Sequence, residues 1–288
     1  MNYIGISGWT YEPWRGTFYP EDLPQKRELE YASRQLNSIE INGTFYSLQK
    51  PGSFRTWYEQ TPDDFVFSLK GGRFITHIRR LRDIETPLAN FLASGILALK
   101  EKLGPILWQF PPNFKFEPER FEKFFELLPH DTEAAAELAG RHDKNWKGEV
   151  CLETDQRRPV RHAVEFRHDS FLTPDFAKLL RKHKIGLVVA DAAGLHPYAE
   201  DVTADFVYLR LHGAEEIYVS GYTDEALNRW ADRIRVWSTG GQPPDAKVLL
   251  DQPPPKRKSR DVYAYFDNDV KVRSPADAKS LAKLLGPD

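Results

Sequence analysis

The chain has 288 residues, of which 41% are hydrophobic and 28% are charged, a composition that allows an ordinary globular core. Its formal net charge of −2 gives no global attraction to nucleic acid or to membranes, although a local basic patch could still act. No run approaches the roughly 18 apolar residues of a membrane helix, and the first residues do not have the pattern of a signal peptide. The single cysteine, Cys151, excludes an intrachain disulfide, so we expect a cytoplasmic protein.

Eight short apolar runs recur along the chain, as expected of strands that are buried in a parallel sheet. In chain order they are residues 3–7, 38–42, 65–69, 106–109, 163–166, 186–190, 206–211 and 262–266. Segments with helical patterns separate most of these runs. A β/α unit repeated eight times predicts an α/β fold, the (β/α)8 or TIM barrel, formed as a single domain by residues 1–288.

The helical segments between the runs have apolar residues on one face. Such patterns occur over residues 28–36 and after Pro51. A long amphipathic helix is predicted over residues 86–103, with Gly104 as a favourable residue just beyond its end. Three helix N-caps are also predicted, and two of them are followed by proline: Thr173, Thr223 and Ser274.

Three segments depart from the simple repeat. Residues 191–205 show no convincing helical pattern after the sixth strand. Residues 129–162, between strands four and five, are longer than an ordinary connection and contain the Ala- and Glu-rich helical segment 132–139. We interpret residues 129–162 as an insertion rather than a second domain. Residues 240–255 are rich in Gly and Pro and predict an exposed loop.

Polar side chains stand at or near the end of nearly every predicted strand. They are Ser7, Glu40, Asn42, Lys70, Gln109, Glu165, Arg167, Asp191, Arg210, His212, Asp267 and Asn268. Active sites of TIM barrels lie at the C-terminal strand ends, so we predict that this cluster is the functional site. For each single residue the alternative is an internal ion-pair network, because a buried carboxylate needs a partner.

The residue types suggest separate roles within the cluster. Glu40 and Glu165, on opposite sides of the barrel, suit general acid/base catalysis, and His212 suits proton donation. Trp9 and Tyr11 are candidates for an aromatic wall beside a ligand, with packing over the barrel end as the alternative. The remaining substrate-binding candidates, whose cations favour a carboxylate or phosphate group, are Asn42, Lys70, Arg73, Gln109, Arg167, Asp191, Arg210 and Asn268.

The sequence requires no cofactor, and the evidence for a metal site is weak. No HxH, HExxH or CxxC spacing is present, and the histidines are too few for a multinuclear zinc cluster. Enough oxygen and nitrogen ligands exist for a single Mg²⁺- or Mn²⁺-like ion, namely Glu40, Glu165, Asp191 and His212.

The chain resembles the YecE-like family, also called domain of unknown function 72. The resemblance rests on seven stretches: GISGWTYEPWRGTFYP (5–20), IEINGTFYSLQKPGSFRTW (39–57), FVFSLKGGRFITH (65–77), LGPILWQFPPNF (103–114), AVEFRHDSF (163–171), YLRLHG (208–213) and VYAYFDND (262–269). It implies a TIM barrel, in agreement with the strand count, and little about activity. The family resembles barrels of the xylose-isomerase and endonuclease-IV kind in shape, but this sequence lacks the several metal-binding histidines of such a nuclease.

Three functions are compatible with these features. The first is an enzyme that acts on a small anionic substrate, such as a sugar phosphate or a carboxylate, held by Lys70, Arg167 and Arg210. The second is a nucleic-acid-binding or nuclease barrel, suggested by the fold analogy and by the basic segments 73–82 and 256–260. The third is a non-catalytic barrel that binds a metabolite or a protein. The combination of carboxylates, arginines and a histidine favours the first.

Overall fold

The computed structural model describes residues 1–213, 220–268 and 272–286, and its strands close into one all-parallel barrel. Each strand pairs with the next in the chain, and the eighth pairs with the first. The (β/α)8 TIM-barrel prediction is therefore confirmed. The strands are β1 (Asn2–Ser7), β2 (Ser38–Ile41), β3 (Val66–Lys70), β4 (Leu103–Gln109), β5 (His162–Glu165), β6 (Gly186–Asp191), β7 (Phe206–Leu211) and β8 (Asp261–Phe266).

Helices cover the outside of the barrel and connect most of the strands. They are α1 (Glu28–Ala32), α2 (Gly43–Tyr46), α3 (Pro51–Gln60), α4 (Glu85–Ala93), α5 (Pro118–Leu127), α6 (Thr132–Ala139), α7 (Pro174–Lys182), α8 (Asp224–Ser238) and α9 (Arg273–Leu285). Residues 192–205 contain no helix, as predicted. Within the described ranges, no helix combines the length and the apolar character needed to cross a membrane.

The predicted element boundaries are mostly close to the observed ones. β7 has the predicted bounds, and the largest strand difference is at β4, which begins at Leu103 rather than at residue 106. The predicted helix over residues 28–36 is too long, because α1 ends at Ala32. There the chain continues in turns, with the amide of Leu36 donating to the carbonyl of Ala32, before it enters β2.

Two of the three predicted N-caps are confirmed. The Thr173 hydroxyl accepts from the amide of Phe176, and the Thr223 hydroxyl caps α8 in the same way. The prediction for Ser274 is wrong, because α9 already begins at Arg273. The Ser274 hydroxyl instead accepts from the backbone amide of Asn268 at 2.9 Å and donates to its side-chain oxygen at 3.0 Å.

The predicted helix over residues 86–103 is wrong in its second half. α4 ends before Gly95, whose φ of 122° belongs to the region that favours glycine. A Cβ at this position would lie 2.5 Å from Cα of Pro51, so the close approach of the two segments also requires glycine. The chain continues in 3-10 turns over Ile96–Lys102, and Gly104 lies within β4 rather than beyond a helix end.

The barrel interior is apolar over most of its length and becomes polar towards the C-terminal strand ends. Its apolar side chains are Tyr3, Val66, Leu107, Ala163, Val188, Ala190, Ala204, Phe206, Tyr208, Tyr263 and Tyr265. The Tyr265 hydroxyl bonds to Ser38 Oγ at 2.6 Å and to Ser68 Oγ at 2.7 Å. Because strand side chains alternate between the two faces, the next inward position on β2 beyond Ser38 is Glu40. A larger apolar core lies between the strands and the helices.

The segment 129–162 packs against the outside of the barrel. Its helix α6 contacts α4, and Ala135 and Ala139 of α6 join the outer apolar core. The two ends of the segment are joined by backbone hydrogen bonds of 2.9 Å, from Thr132 to Arg158 and from Val160 to His130. Residues 241–255 form the predicted loop, but it is not wholly exposed, because Asp201 accepts from the amides of Leu249 and Leu250.

Candidate functional site

The polar end of the barrel is organised around Arg210, which is fully buried on β7. Its guanidinium forms ion pairs with Glu40 on β2 at 2.9 Å, with Glu165 on β5 at 2.8 Å and with Asp267 after β8 at 2.7 Å. Each of these residues stands at an inward position near a strand end, so barrel closure brings the four together. Asp267, which the strand-end pattern includes without a specific role, is thus the third carboxylate of the cluster.

The carboxylate oxygens of this cluster are extensively hydrogen-bonded. Glu40 accepts from the Ser7 hydroxyl at 3.0 Å and from the Tyr208 hydroxyl at 2.6 Å, in addition to its bonds with Arg210. Glu165 accepts from Nε of Arg167 at 2.8 Å through the oxygen that does not bind Arg210. The two arginine contacts favour the ionised form of Glu165.

The two arginines set the protonation of the cluster. Burial raises the pKa of Glu165, but Arg167 and Arg210 more than offset this and hold that pKa well below its ordinary value. Burial also raises the pKa of Asp267, but Arg210 and the hydrogen bond from His212 more than offset this and lower that pKa to about 2. His212 itself is fully buried, with Nδ1 3.2 Å from Oδ2 of Asp267. The cluster therefore holds ionised carboxylates around a compensating guanidinium.

Lys70 ends β3 and projects into the same end of the barrel, where its side chain is partly buried. Its Nζ lies 4.5 Å from the centroid of the Phe45 ring. Among the residues that the structure describes, this amine has no hydrogen-bond or ion-pair partner. Burial, followed by the charge of Arg210, lowers the pKa of Lys70 to about 8, although the three carboxylates act in the opposite direction.

Two histidines that sequence reasoning missed lie close to this group. His77 follows β3, and burial together with the charges of Lys70 and Arg167 lowers its pKa to about 4. The pKa of His196, in the segment after β6, is also lowered by burial and by Arg167. Both imidazoles are therefore neutral near pH 7. His77 was present in the stretch that follows Lys70, but no spacing motif marked it.

Three further candidates lie around the cluster. Gln109 is buried at the end of β4, in register with Glu165. Asn42 precedes α2, and its Oδ1 is buried without a hydrogen-bond partner within residues 1–213, 220–268 and 272–286. Arg73 is exposed on the outer rim, 5.6 Å from the Tyr46 ring, where it lines an apolar cavity of about 290 Å³.

Four other candidates make contacts with residues outside the group formed by Arg210 and its three carboxylates. Asp191 accepts from the Tyr222 hydroxyl at 3.1 Å and, with His196, lines a cavity of about 350 Å³. The Asn268 side chain joins the end of β8 to α9 through Asp277 and Ser274. In the N-terminal loop the Trp9 ring packs on Trp57 and Phe67, and the Tyr11 hydroxyl donates to the Ser7 carbonyl at 2.6 Å.

The four candidate metal ligands do not converge. Glu40 and Glu165 direct their oxygens to arginines, while Asp191 bonds to Tyr222. Across the described part of the chain, no group of three or more His, Cys, Asp or Glu side chains could hold a metal ion. The arrangement is therefore that of an ion-pair network with accessible cations beside it.

Comparison with solved structures supports the same architecture. A DUF72 family protein from Thermotoga maritima aligns over 99% of both chains, with a TM-score of 0.75 and 27% sequence identity. A DUF72 family protein from Enterococcus faecalis aligns over 99% of this chain and 95% of its own, with a TM-score of 0.71. At 16% identity, the second comparison shows the fold alone.

Sequence comparison leads to the same family. UPF0759 protein YecE of Escherichia coli K12 is 31% identical over 151 residues, and UPF0759 protein YunF of Bacillus subtilis is 27% identical over 124 residues. The first alignment spans 52% of the length of YecE and the second 43% of YunF, about half or less of each relative. A sequence model of the family described as "Protein of unknown function DUF72" matches residues 3–288, so the chain belongs to the DUF72 family.

Proposed function

We propose that the C-terminal end of the barrel binds a small anionic substrate, bearing a carboxylate or phosphate group, and acts on it as an enzyme. The observation that carries the proposal is the Lys70 amine, which has no hydrogen-bond or ion-pair partner among the described residues. It lies close enough to Glu165 to lower the pKa of that carboxyl, as Arg167 does. Ammonium and guanidinium groups in a partly desolvated site favour an anionic ligand.

Burial separates the structural charges from those that a ligand can reach. Glu40, Glu165 and Arg210 are each 0% exposed, and their charges are directed at one another. Arg167 is 13% exposed, and Lys70 is also partly accessible. Three carboxylates balance Arg210, Arg167 and the protonated form of Lys70, so the group has no net charge that would oppose an anion.

This geometry favours different catalytic roles from those suggested by residue type. Glu165 is a weak base, because two arginines bind its oxygens and hold its pKa well below the ordinary value. We assign Glu40 and Glu165 to positioning Arg210 and Arg167. Proton transfer to and from the substrate is assigned to Lys70, whose pKa of about 8 suits exchange near neutral pH, and the neutral imidazole of His77 is assigned to hydrogen bonding with the substrate.

Thermal unfolding in the presence of anions tests the proposal. Phosphate and small carboxylates are compared with sodium chloride at equal ionic strength, in the wild type and in Arg167→Gln. A ligand at about 100 times its Kd should add roughly 2.7 kcal/mol to stability in the wild type, and much less in the variant. Arg55→Gln, at an exposed arginine paired with Glu149, is the matched control and should respond as the wild type does.

Two results would overturn the anionic site. One is the absence of any anion-specific stabilisation in the wild type across a screen of phosphorylated and carboxylated metabolites. The other is an equal response in Arg167→Gln, with a circular dichroism spectrum showing that the variant is folded.

Nucleic-acid binding is the alternative, and the structure favours it less. In the basic segment 73–82, Arg79 pairs with Asp83 and Arg80 binds Asn113. In the segment 256–260, Arg260 is buried and donates to backbone carbonyls. A binding titration with DNA and RNA at several salt concentrations distinguishes the two functions, since phosphate contacts give a steep salt dependence.

A further inference from the structure

We infer that the Lys70 amine is a nucleophile that forms an imine with the carbonyl group of a small anionic aldehyde or ketone. This inference rests on the proposed function, because it takes the C-terminal end of the barrel as the substrate site. It adds the substrate class, a carbonyl compound with a carboxylate or phosphate group, and the covalent step.

The position of Lys70 suits a nucleophile better than that of another buried lysine. The Lys102 amine donates to the carbonyls of Tyr58 at 2.7 Å and Thr61 at 2.9 Å, so its protons are engaged by the fold. The Lys70 amine lies 4.5 Å from the centroid of the Phe45 ring and has no such acceptors among the described residues. An amine without fixed partners at a strand end is available to attack a bound carbonyl carbon.

The surroundings also favour the neutral amine. Burial is the main cause of the lowered pKa of Lys70. Charged groups on other elements of the barrel also shift it: Arg210 lowers this pKa, and Glu165, Asp267 and Glu40 raise it. His77, from the segment after β3, is neutral near pH 7. With a pKa of about 8, roughly a quarter of the Lys70 amine is unprotonated at about pH 7.5, against about one part in a thousand for an ordinary lysine.

The step needs no co-reactant. The nitrogen lone pair of Lys70 forms a bond to the carbonyl carbon, and one N–H proton moves to the carbonyl oxygen to give a carbinolamine. The second N–H proton then leaves with that hydroxyl group as water, and a carbon–nitrogen double bond forms. Protonation of the imine nitrogen by solvent gives an iminium ion, which withdraws electrons from the adjacent carbon atoms.

Arg167 is the group that binds the carboxylate or phosphate of the substrate, while Lys70 reacts with its carbonyl group. Its Nε is fixed by Glu165 at 2.8 Å, so the side chain is held in one orientation, near the same carboxyl whose pKa Lys70 also lowers. A guanidinium in a fixed position binds a carboxylate or phosphate with defined geometry. A carbonyl compound anchored by its anionic group would therefore present its carbonyl carbon to Lys70.

Reductive trapping tests the inference. The full chain is treated with glyoxylate, a small aldehyde that carries a carboxylate, and with cyanoborohydride at about pH 7.5, and the modified lysines are mapped by peptide mass spectrometry. Lys70 should be modified on the order of tenfold faster than Lys102 and than exposed lysines such as Lys144. The yield at Lys70 should rise with pH around a midpoint near 8.

Acetaldehyde, which lacks the carboxylate, separates this inference from the proposed function. Preferential trapping of glyoxylate at Lys70 supports both, whereas equal trapping of the two aldehydes at Lys70 supports the imine and contradicts the anionic site. Anion-specific thermal stabilisation without faster modification at Lys70 contradicts the imine and leaves the anionic site standing. Lys70→Arg, which keeps the positive charge but cannot form the imine, should lose the rapid adduct while its circular dichroism spectrum is unchanged.

Discussion

The guanidinium of Arg210 lies among three carboxylates, and replacing it with the apolar side chain of methionine leaves them without this partner. The variant Arg210→Met loses hydrogen bonds of 2.8 Å to Glu165, 2.9 Å to Glu40 and 2.7 Å to Asp267. Removing one partner from a buried ion pair typically costs about 3–5 kcal/mol, because a buried charge is left uncompensated. We therefore expect a loss of about 3–5 kcal/mol in the free energy of unfolding, or roughly 5–8 °C in Tm.

The loss should depend on pH in a defined direction. In the wild type, the pKa values of Glu165 and Asp267 are lower than in the unfolded chain. Their contribution is therefore present above the unfolded pKa of about 4 and is lost as the pH falls through the folded values. In Arg210→Met, the guanidinium no longer offsets burial, so both pKa values rise towards or above the unfolded value and the stabilisation that the wild type gains as the pH rises is lost. The difference between the two proteins should be largest near neutral pH and smaller at about pH 5.

Urea unfolding of both proteins at about pH 7.5 and at about pH 5 measures this difference directly. Arg55→Met is the control, because Arg55 is 52% exposed and pairs with Glu149 at the surface. We expect no measurable change in that variant. An Arg210→Met protein as stable as the wild type, or a deficit that is the same at both pH values, would refute the assignment of Arg210 as the charge that compensates the cluster.

Two further predictions concern stability at other positions. Gly95→Ala should destabilise the protein by about 2–4 kcal/mol in urea unfolding, because its φ is 122° and the new Cβ would lie 2.5 Å from Cα of Pro51. Gly52→Ala, in α3 with open space around the position, should instead be neutral or stabilise by up to about 1 kcal/mol, and equal effects in the two variants would contradict this reasoning. Tyr265→Phe should cost about 1–2 kcal/mol, because it leaves two buried serine hydroxyls without their shared partner, and an unchanged urea midpoint would show that those bonds contribute nothing.

The sequence predicted the fold and the position of the polar cluster at one end of the barrel better than the contacts within that cluster. Short apolar runs are a local signal, and the eight of them correspond to the eight strands. The helix predicted over residues 86–103 was wrong because its apolar spacing continues past Gly95, where the packing against Pro51 and not the pattern ends the helix. Similarly, Ser274 has the sequence of an N-cap, but its hydroxyl is used by Asn268.

For the candidate site, too, the positions of the residues could be predicted and their contacts could not. Glu40, Lys70, Glu165 and Arg210 could be placed at one end of the barrel, since the rule about strand ends needs only the strand positions. Whether Arg210 would bind a ligand or other side chains could not be predicted, because its carboxylate partners are 45 to 170 residues away in the chain. His77 carried no motif, and its proximity to Lys70 and Arg167 exists only in the folded barrel.

What the sequence by itself determined is which residues face the interior and at which end they lie, because alternation along a strand has a period of two and depends on neighbouring residues alone. Only the tertiary structure decided how the charges pair. Barrel closure brings Glu40, Glu165 and Asp267 onto Arg210, and it leaves the Lys70 amine over Phe45 without an ion-pair partner among the described residues. Coulomb interactions depend on distance in space and on burial, and neither quantity is present in the order of residues along the chain.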